Sequence, residues 1–236
     1  YELAVPFSEF SNPANIPGHS GWLLGPPGDQ ADEPFTFLLT DVGFSKHLAS
    51  PLVLDLDGAG IQSISVADGV SFDLNADGAA EHVGWIAPSN GFLAVDNNGN
   101  GNIDDGTELF GDATLLDNGD TAANGFEALA ALDTNGDQQV DGLDEQFDDL
   151  LVWRDANLNG VSDDGELASL LEEGIAALML DYQTEGAIEQ NGNWIIEQGN
   201  FLREDGTQGQ LVDLWVATET TADPVLALNL GVDWLS

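Results

Sequence analysis

The sequence predicts an α+β fold, mainly antiparallel strands with a few short helices, knitted together by acidic loops. Three observations predict it. Short runs rich in Val, Ile, Leu and aromatic residues recur between Gly- and Asp-rich turns. A single clear helical period occurs, in Asn124–Leu132, where Phe126, Leu129 and Leu132 share one face at i, i+3 and i+6. The acidic loops do not recur at a fixed spacing, which argues against a roll of tandem short repeats and for separate sites within a mixed domain.

Residues 1–49 read as a Pro- and Gly-rich arm and residues 50–236 as the main module. Six of the nine prolines fall in the arm, and Phe7, Phe10 and Trp22 make it apolar enough to lie on the main body. Phe35–Thr40 reads as a short strand. In the module, Leu52-Val53-Leu54 is a buried strand. Ile61–Val66 and Val70–Leu74 read as strands around a turn at Asp68-Gly69, and His82–Ala87 with Gly91–Val95 as a hairpin that faces Trp85 and Phe92 to a core. Helix Asn124–Leu132 is followed by a second helix, Asp144–Leu150. Leu151-Val152-Trp153 is a buried strand, and Gly165–Glu173 a helix stopped by Gly174. Ile175–Tyr182, Trp194–Ile196, Gly199–Arg203 and Gln210–Ala217 form an antiparallel meander with a turn at Asp205-Gly206. Pro224–Leu230 reads as a last strand.

The loops between these elements carry the chemistry. The clearest begins at Asp155. Counting from it, Asp155, Asn157, Asn159 and Asp163 place oxygens at positions 1, 3, 5 and 9, Gly160 falls at 6 and Glu166 at 12. That is the EF-hand calcium pattern, with Val161 giving a backbone carbonyl at position 7. The loop from Asp96 repeats it with Asn98, Asn100, Asn102 and Asp104, but Glu108 comes one residue late. The loop from Asp133 uses Asn135, Asp137, Gln139, Asp141 and Asp144. Gln138 stands at its sixth position, where glycine is usual, and is expected in left-handed backbone. Asp73, Asn75, Asp77 and Glu81 form a loop without a twelfth-position carboxylate, and Asp55 with Asp57 a shorter one still. Four to five calcium ions are expected.

The charge balance fits the same reading. The chain has 43 acidic residues against Lys46, Arg154 and Arg203, a net charge of −40. A compact state needs another source of positive charge, and bound divalent cations supply it. Nucleic acid and anionic membranes are excluded as partners for want of basic patches. No apolar run is long enough for a transmembrane helix, so no membrane insertion is expected. There is no cysteine, so metal takes the stabilising place of disulfides. Three scattered histidines give no catalytic triad, and no carboxylate pair stands apart from the loops. Trp22, Trp194, Trp215 and Trp234 could stack on a sugar if exposed, but core packing is the commoner use.

Taken in order, Pro51-Leu-Val-Leu-Asp-Leu-Asp-Gly, Trp85, Asp96-x-Asn-Gly-Asn-Gly-x-Ile-Asp, Glu108-Leu-Phe-Gly-Asp, Gly125-Phe-Glu-Ala-Leu, Leu132-Asp-x-Asn-Gly-Asp and Val152-Trp-Arg-Asp-x-Asn form a specific series over roughly residues 50–217. It resembles the calcium-dependent self-processing module of RTX proteins and the related split domain of giant bacterial adhesins. The resemblance implies type I secretion and an extracellular or cell-surface location on a Gram-negative bacterium. Neighbouring domains of the same adhesin are the expected partners; the alternative is a sugar- or peptide-binding module with a cell-surface glycan or peptide as its partner. It also implies cleavage of an Asp-Pro bond just before the module, in which the Asp carboxyl attacks its own carbonyl and the proline nitrogen leaves. Here the junction is Ser50-Pro51. Serine lacks that carboxylate, so the expectation is a non-cleaving structural and adhesive module rather than an enzyme.

Overall fold

The run Leu52-Val53-Leu54 carries no polar residue because the strand it forms is covered on both faces. A computed structural model describes residues 50–116, 118–184 and 187–218. In chain order its strands are β1 (Leu52–Asp55), β2 (Ser63–Ile64), β3 (Val70–Phe72), β4 (Glu81–Val83), β5 (Trp85–Ile86), β6 (Asn90–Val95), β7 (Gln139–Asp141), β8 (Leu150–Trp153), β9 (Leu167–Ser169), β10 (Ile175–Gln183), β11 (Ile188–Gln190), β12 (Asn193–Arg203) and β13 (Gln208–Trp215). One helix, α1 (Gly125–Ala130), follows Asn124, whose side chain accepts from the Glu127 N–H as an N-cap.

Nine of these strands form one sheet in the order β7-β10-β12-β13-β1-β6-β8-β9, with β11 added beside β12. Every pairing between strands is antiparallel. The sheet divides two cores. Val53, Phe92, Ala94, Trp153, Val212 and Leu214 point to one face, where Phe72, Leu74, Trp85 and Ile103 meet them. Leu52, Leu54, Leu93, Val152, Phe201 and Leu211 point to the other, against Phe126 and Leu129 of α1 and Val140. On the first face Trp85 packs edge-on against Phe92 and Trp153, with ring centroids at 4.6 and 5.5 Å. Such aromatic contacts add about 0.5–1.5 kcal/mol each beyond area burial.

The expected predominance of antiparallel strands with few helices is observed. Several local expectations are not. The stretch 61–74 does not fold back on itself: Val66–Asp68 is a 3₁₀ turn, β2 pairs with β5, and β3 pairs with β4. The hairpin of His82–Ala87 with Gly91–Val95 is likewise absent, because β6 is taken by β1 and β8. Trp85 and Phe92 nevertheless reach the core as expected. Helix Asp144–Leu150 shrinks to a 3₁₀ turn at Phe147–Asp149, since the Asp144 carboxylate reaches back to Thr134 and Asp141 instead of capping a helix. Helix Gly165–Glu173 is replaced by β9 and a single turn. Ser169 and Glu172 bond each other there, and Gly174, at φ +68°, ends the turn. Trp194–Ile196 and Gly199–Arg203 are one strand, β12, with an irregularity between Ile195 and Gln198. The arm, Phe35–Thr40 and Pro224–Leu230 lie outside the described residues.

Candidate metal centre

All five acidic loops make the same turn. The fourth and sixth residues of each have positive φ: Gly58 and Gly60, Ala76 and Gly78, Gly99 and Gly101, Gly136 and Gln138, Leu158 and Gly160. Gln138 is at +71°, so the residue found where glycine is usual adopts the left-handed backbone expected of it. This turn points backbone N–H groups inward at the first residue. Asp155 accepts from Asn159 N at 3.1 Å and Gly160 N at 2.8 Å; Asp96 from Gly99 N and Gly101 N, both at 2.8 Å. Asp133 accepts from Gly136 N at 2.7 Å and Gln138 N at 3.0 Å. Asp73 and Asp55 are held in the same way, by Asp77 and Gly78 and by Gly58 and Gly60.

Three loops are closed by a second carboxylate. Glu166 accepts from Ala156 N at 2.9 Å and Asp163 N at 3.1 Å. Asp144 accepts from Thr134 N at 2.8 Å and Asp141 N at 3.0 Å. Glu108, one residue late, still reaches Asp104 N at 2.8 Å and shifts its other oxygen to Asn98 N at 3.4 Å. Burial pushes Glu108 above the ordinary carboxylate range, whereas the Asp141 N–H, above all, holds Asp144 below it. The 73–81 loop has no such closure, though Glu81 accepts from Asn75 Nδ2 at 3.5 Å. The Asp55 loop is open, with Asp57 turned to its own neighbour Ala59.

The remaining side chains converge. Asn157 and Asn159 both donate to one oxygen of Asp163, at 2.8 and 2.9 Å, and hold its pKa down. Asn98 and Asn100 likewise both donate to one oxygen of Asp104. Gln139 bridges Asp137 and Asp141, and Asn75 reaches Asp77. At position 7, Val161 gives its carbonyl to Asp163 N, and Asn102 N donates to Asn100 Oδ1. Among the described residues no three His, Cys, Asp or Glu side chains gather as a metal cluster; the donors in each loop are carboxylates interleaved with amides. The set is all oxygen and fits a hard cation such as calcium. Rotating the exposed Asn amides about their soft terminal torsions turns oxygen, not N–H, to the meeting point.

The described cations do not balance these loops. Arg154 pairs with Glu173 at 2.6 Å, a half-buried bridge between side chains that still touch solvent. Arg203 donates to the carbonyls of Asp55 and Leu56 and covers the Phe201 ring. Trp194 is partly exposed and pairs across strands with Trp215; Trp22 and Trp234 lie outside the described residues.

A second polar group was not singled out by the motif spacing. Ser50 is fully buried, and its N–H donates to Asp112 Oδ1 at 3.0 Å. Asp213, opposite Leu52 across the sheet, accepts from Gly125 N. Among the described residues its other oxygen and the Ser50 hydroxyl have no hydrogen bond of good geometry, though the hydroxyl stands near enough to favour the charged form of Asp213. Burial pushes Asp213 well above, and Asp112 above, the ordinary aspartate range. Gly111 closes the recess: a Cβ there would stand 2.7 Å from the Ser50 carbonyl oxygen and 3.3 Å from Pro51 N. The available signal was a lone carboxylate inside the apolar run Leu211–Trp215.

The SPM domain family model matches residues 52–217. Iron-regulated protein FrpA of Neisseria meningitidis serogroup C is 40% identical over 198 residues, covering 78% of this chain and 18% of that protein. The chain thus spans less than a fifth of that relative's length. Because the family match takes in the whole nine-stranded sheet and all five loops, the chain belongs to the SPM domain family.

Proposed function

We propose that this chain is a calcium-folded structural module of a large secreted bacterial protein of the RTX adhesin type. The observation that carries the reading is the shared turn: five loops of different sequence all cage their first aspartate with inward N–H groups. Asp55, Asp73, Asp96, Asp133 and Asp155 begin these loops, and Glu108, Asp144 and Glu166 would close three of them on the ion. When bound, calcium supplies the positive charge that a chain of net charge −40 lacks. At free calcium ~100 times a site's dissociation constant, each site adds about 2.7 kcal/mol. Four or five such sites add on the order of 10 kcal/mol, the size of a domain's whole stability. Low calcium inside the cell would leave the chain unfolded for type I export, and high calcium outside would fold it at the cell surface. No described helix is long and apolar enough to cross a membrane. Its partners are neighbouring domains of the same adhesin, with a cell-surface glycan or peptide as the adhesive target. Circular dichroism in excess chelator and in millimolar calcium tests the reading. A disordered spectrum that becomes β-rich on adding calcium is expected, and a native spectrum in chelator overturns it.

A second reading, a self-processing module, draws on the recess around the 50–51 peptide. Ser50 offers no carboxylate to its own carbonyl, so the chain does not cleave there. Mass spectrometry after incubation with calcium is expected to find no fragment beginning at Pro51.

A further inference from the structure

Position 8 is where the two most regular loops touch. The Ile103 N–H, eighth from Asp96, donates to Ser162 Oγ, eighth from Asp155, at 2.7 Å, and both residues are buried. The bond sits in a short relay between the two closing carboxylates. Glu166 Oε2 accepts from Asp163 N, next to Ser162; Glu108 Oε2 accepts from Asp104 N, next to Ile103. Movement of Glu166 onto a cation therefore pulls on Asp163, then on Ser162 Oγ, then on the Ile103–Asp104 peptide that holds Glu108. The 133–144 loop is placed differently. Its eighth residue, Val140, is buried in the core on the other face of the sheet, and its strand β7 pairs with β10.

We propose that the 96–108 and 155–166 loops bind calcium as one directly coupled pair, linked through Ser162, while the 133–144 loop is tied to them only through the folding of the whole chain. The proposal rests on the calcium reading above and adds a regulation to it. Coupling between sites is reciprocal, so each loop tightens the other by the same factor. A pair fills over a narrower range of calcium than two separate sites, which sharpens the transition between unfolded and folded chain.

The test follows the backbone amides of Gly101, Gly160 and Gln138, the sixth residues of the three loops, by heteronuclear NMR during a calcium titration. Each donates to its loop's first aspartate, and the Gln138 midpoint measures the part of any change that folding imposes on all three loops. In the unaltered protein Gly101 and Gly160 are expected to share one midpoint. In Glu166→Gln the Gly101 midpoint is expected to rise by about five-fold or more relative to that of Gln138. Should Glu166→Gln fail to fold, Ser162→Ala carries the test: the two glycine midpoints separate, and Ser162→Thr, which keeps a hydroxyl, brings them back together. A Gly101 midpoint that moves no further than that of Gln138 in Glu166→Gln, or coincident midpoints in Ser162→Ala, overturns the coupling. The absence of any calcium-dependent shift in the unaltered protein overturns the calcium reading itself.

Discussion

The indole Nε1 of Trp85 donates a buried 2.9 Å hydrogen bond to Asp155 Oδ2, the oxygen that also accepts from Gly160 N. The aromatic core thus reaches the first residue of the most complete loop and fixes which way its carboxylate faces. Partners of this kind, one step behind a ligand, commonly change metal affinity 10–100-fold. Trp85→Phe keeps the ring contacts with Phe72, Phe92 and Trp153 but removes the donor. It is expected to weaken calcium at the 155–166 loop about ten-fold relative to the 133–144 loop, read from the Gly160 and Gln138 amides.

Asp213 sets a pH dependence of opposite sign to that of Asp144 and Asp163. Its folded-state pKa is raised, chiefly by burial, so the folded chain keeps a proton that the unfolded chain loses near pH 4. Its contribution is fully present below that pH and is lost as pH rises toward the raised value. In this window Asp213→Asn is expected to remove a downward slope of up to about 1.4 kcal/mol per pH unit. Urea midpoints measured from pH 4 to 7 at saturating calcium check it. Asp144, held low by backbone N–H groups, acts the other way and loses its contribution as pH falls.

The sixth loop position separates two substitutions. Gly160 is at φ +71°, and a Cβ there would stand 2.8 Å from the Ser71 carbonyl oxygen. Gly160→Ala is expected to destabilise the calcium-loaded module by about 1–3 kcal/mol. Gln138 has the same φ in open surroundings, so Gln138→Gly is expected to stabilise it by about 0.5–1 kcal/mol. Thermal melts of both variants in calcium check the opposite signs.

Ser50→Asp places a carboxylate beside the 50–51 carbonyl, within a recess already formed by Gly111, Asp112 and Asp213. With calcium present, this variant is expected to release a fragment beginning at Pro51, seen by intact-mass spectrometry. An uncleaved but folded Ser50→Asp would show that the recess lacks more than its nucleophile.

The loops were legible in the sequence because their chemistry is local. One carboxylate and a few inward N–H groups, all within six residues of Asp155 or Asp133, suffice to define the turn. Strand partners were not legible, because pairing is decided by distant segments: nothing near Gly91 says that β6 lies between Leu54 and Val152. Leu167 and Ala168 carry a helical pattern, yet the open edge of β8 takes them as a strand. The β11–β12 hairpin has a local sign, Asn191-Gly192 with both φ positive. Asp112 and Asp213 went unmarked because they obey no ligand spacing; only the apolar company of Asp213 gave it away.

The sheet joins the beginning of the module to its end, since Val53 lies opposite Val212. That contact spans roughly 160 residues, the kind of long-range pairing that slows folding most. Under the export proposed above, the contact could form only once both strands are free. Until then β1 would lack its β13 neighbour. The order of the strands would then act as a timer on closure of the sheet.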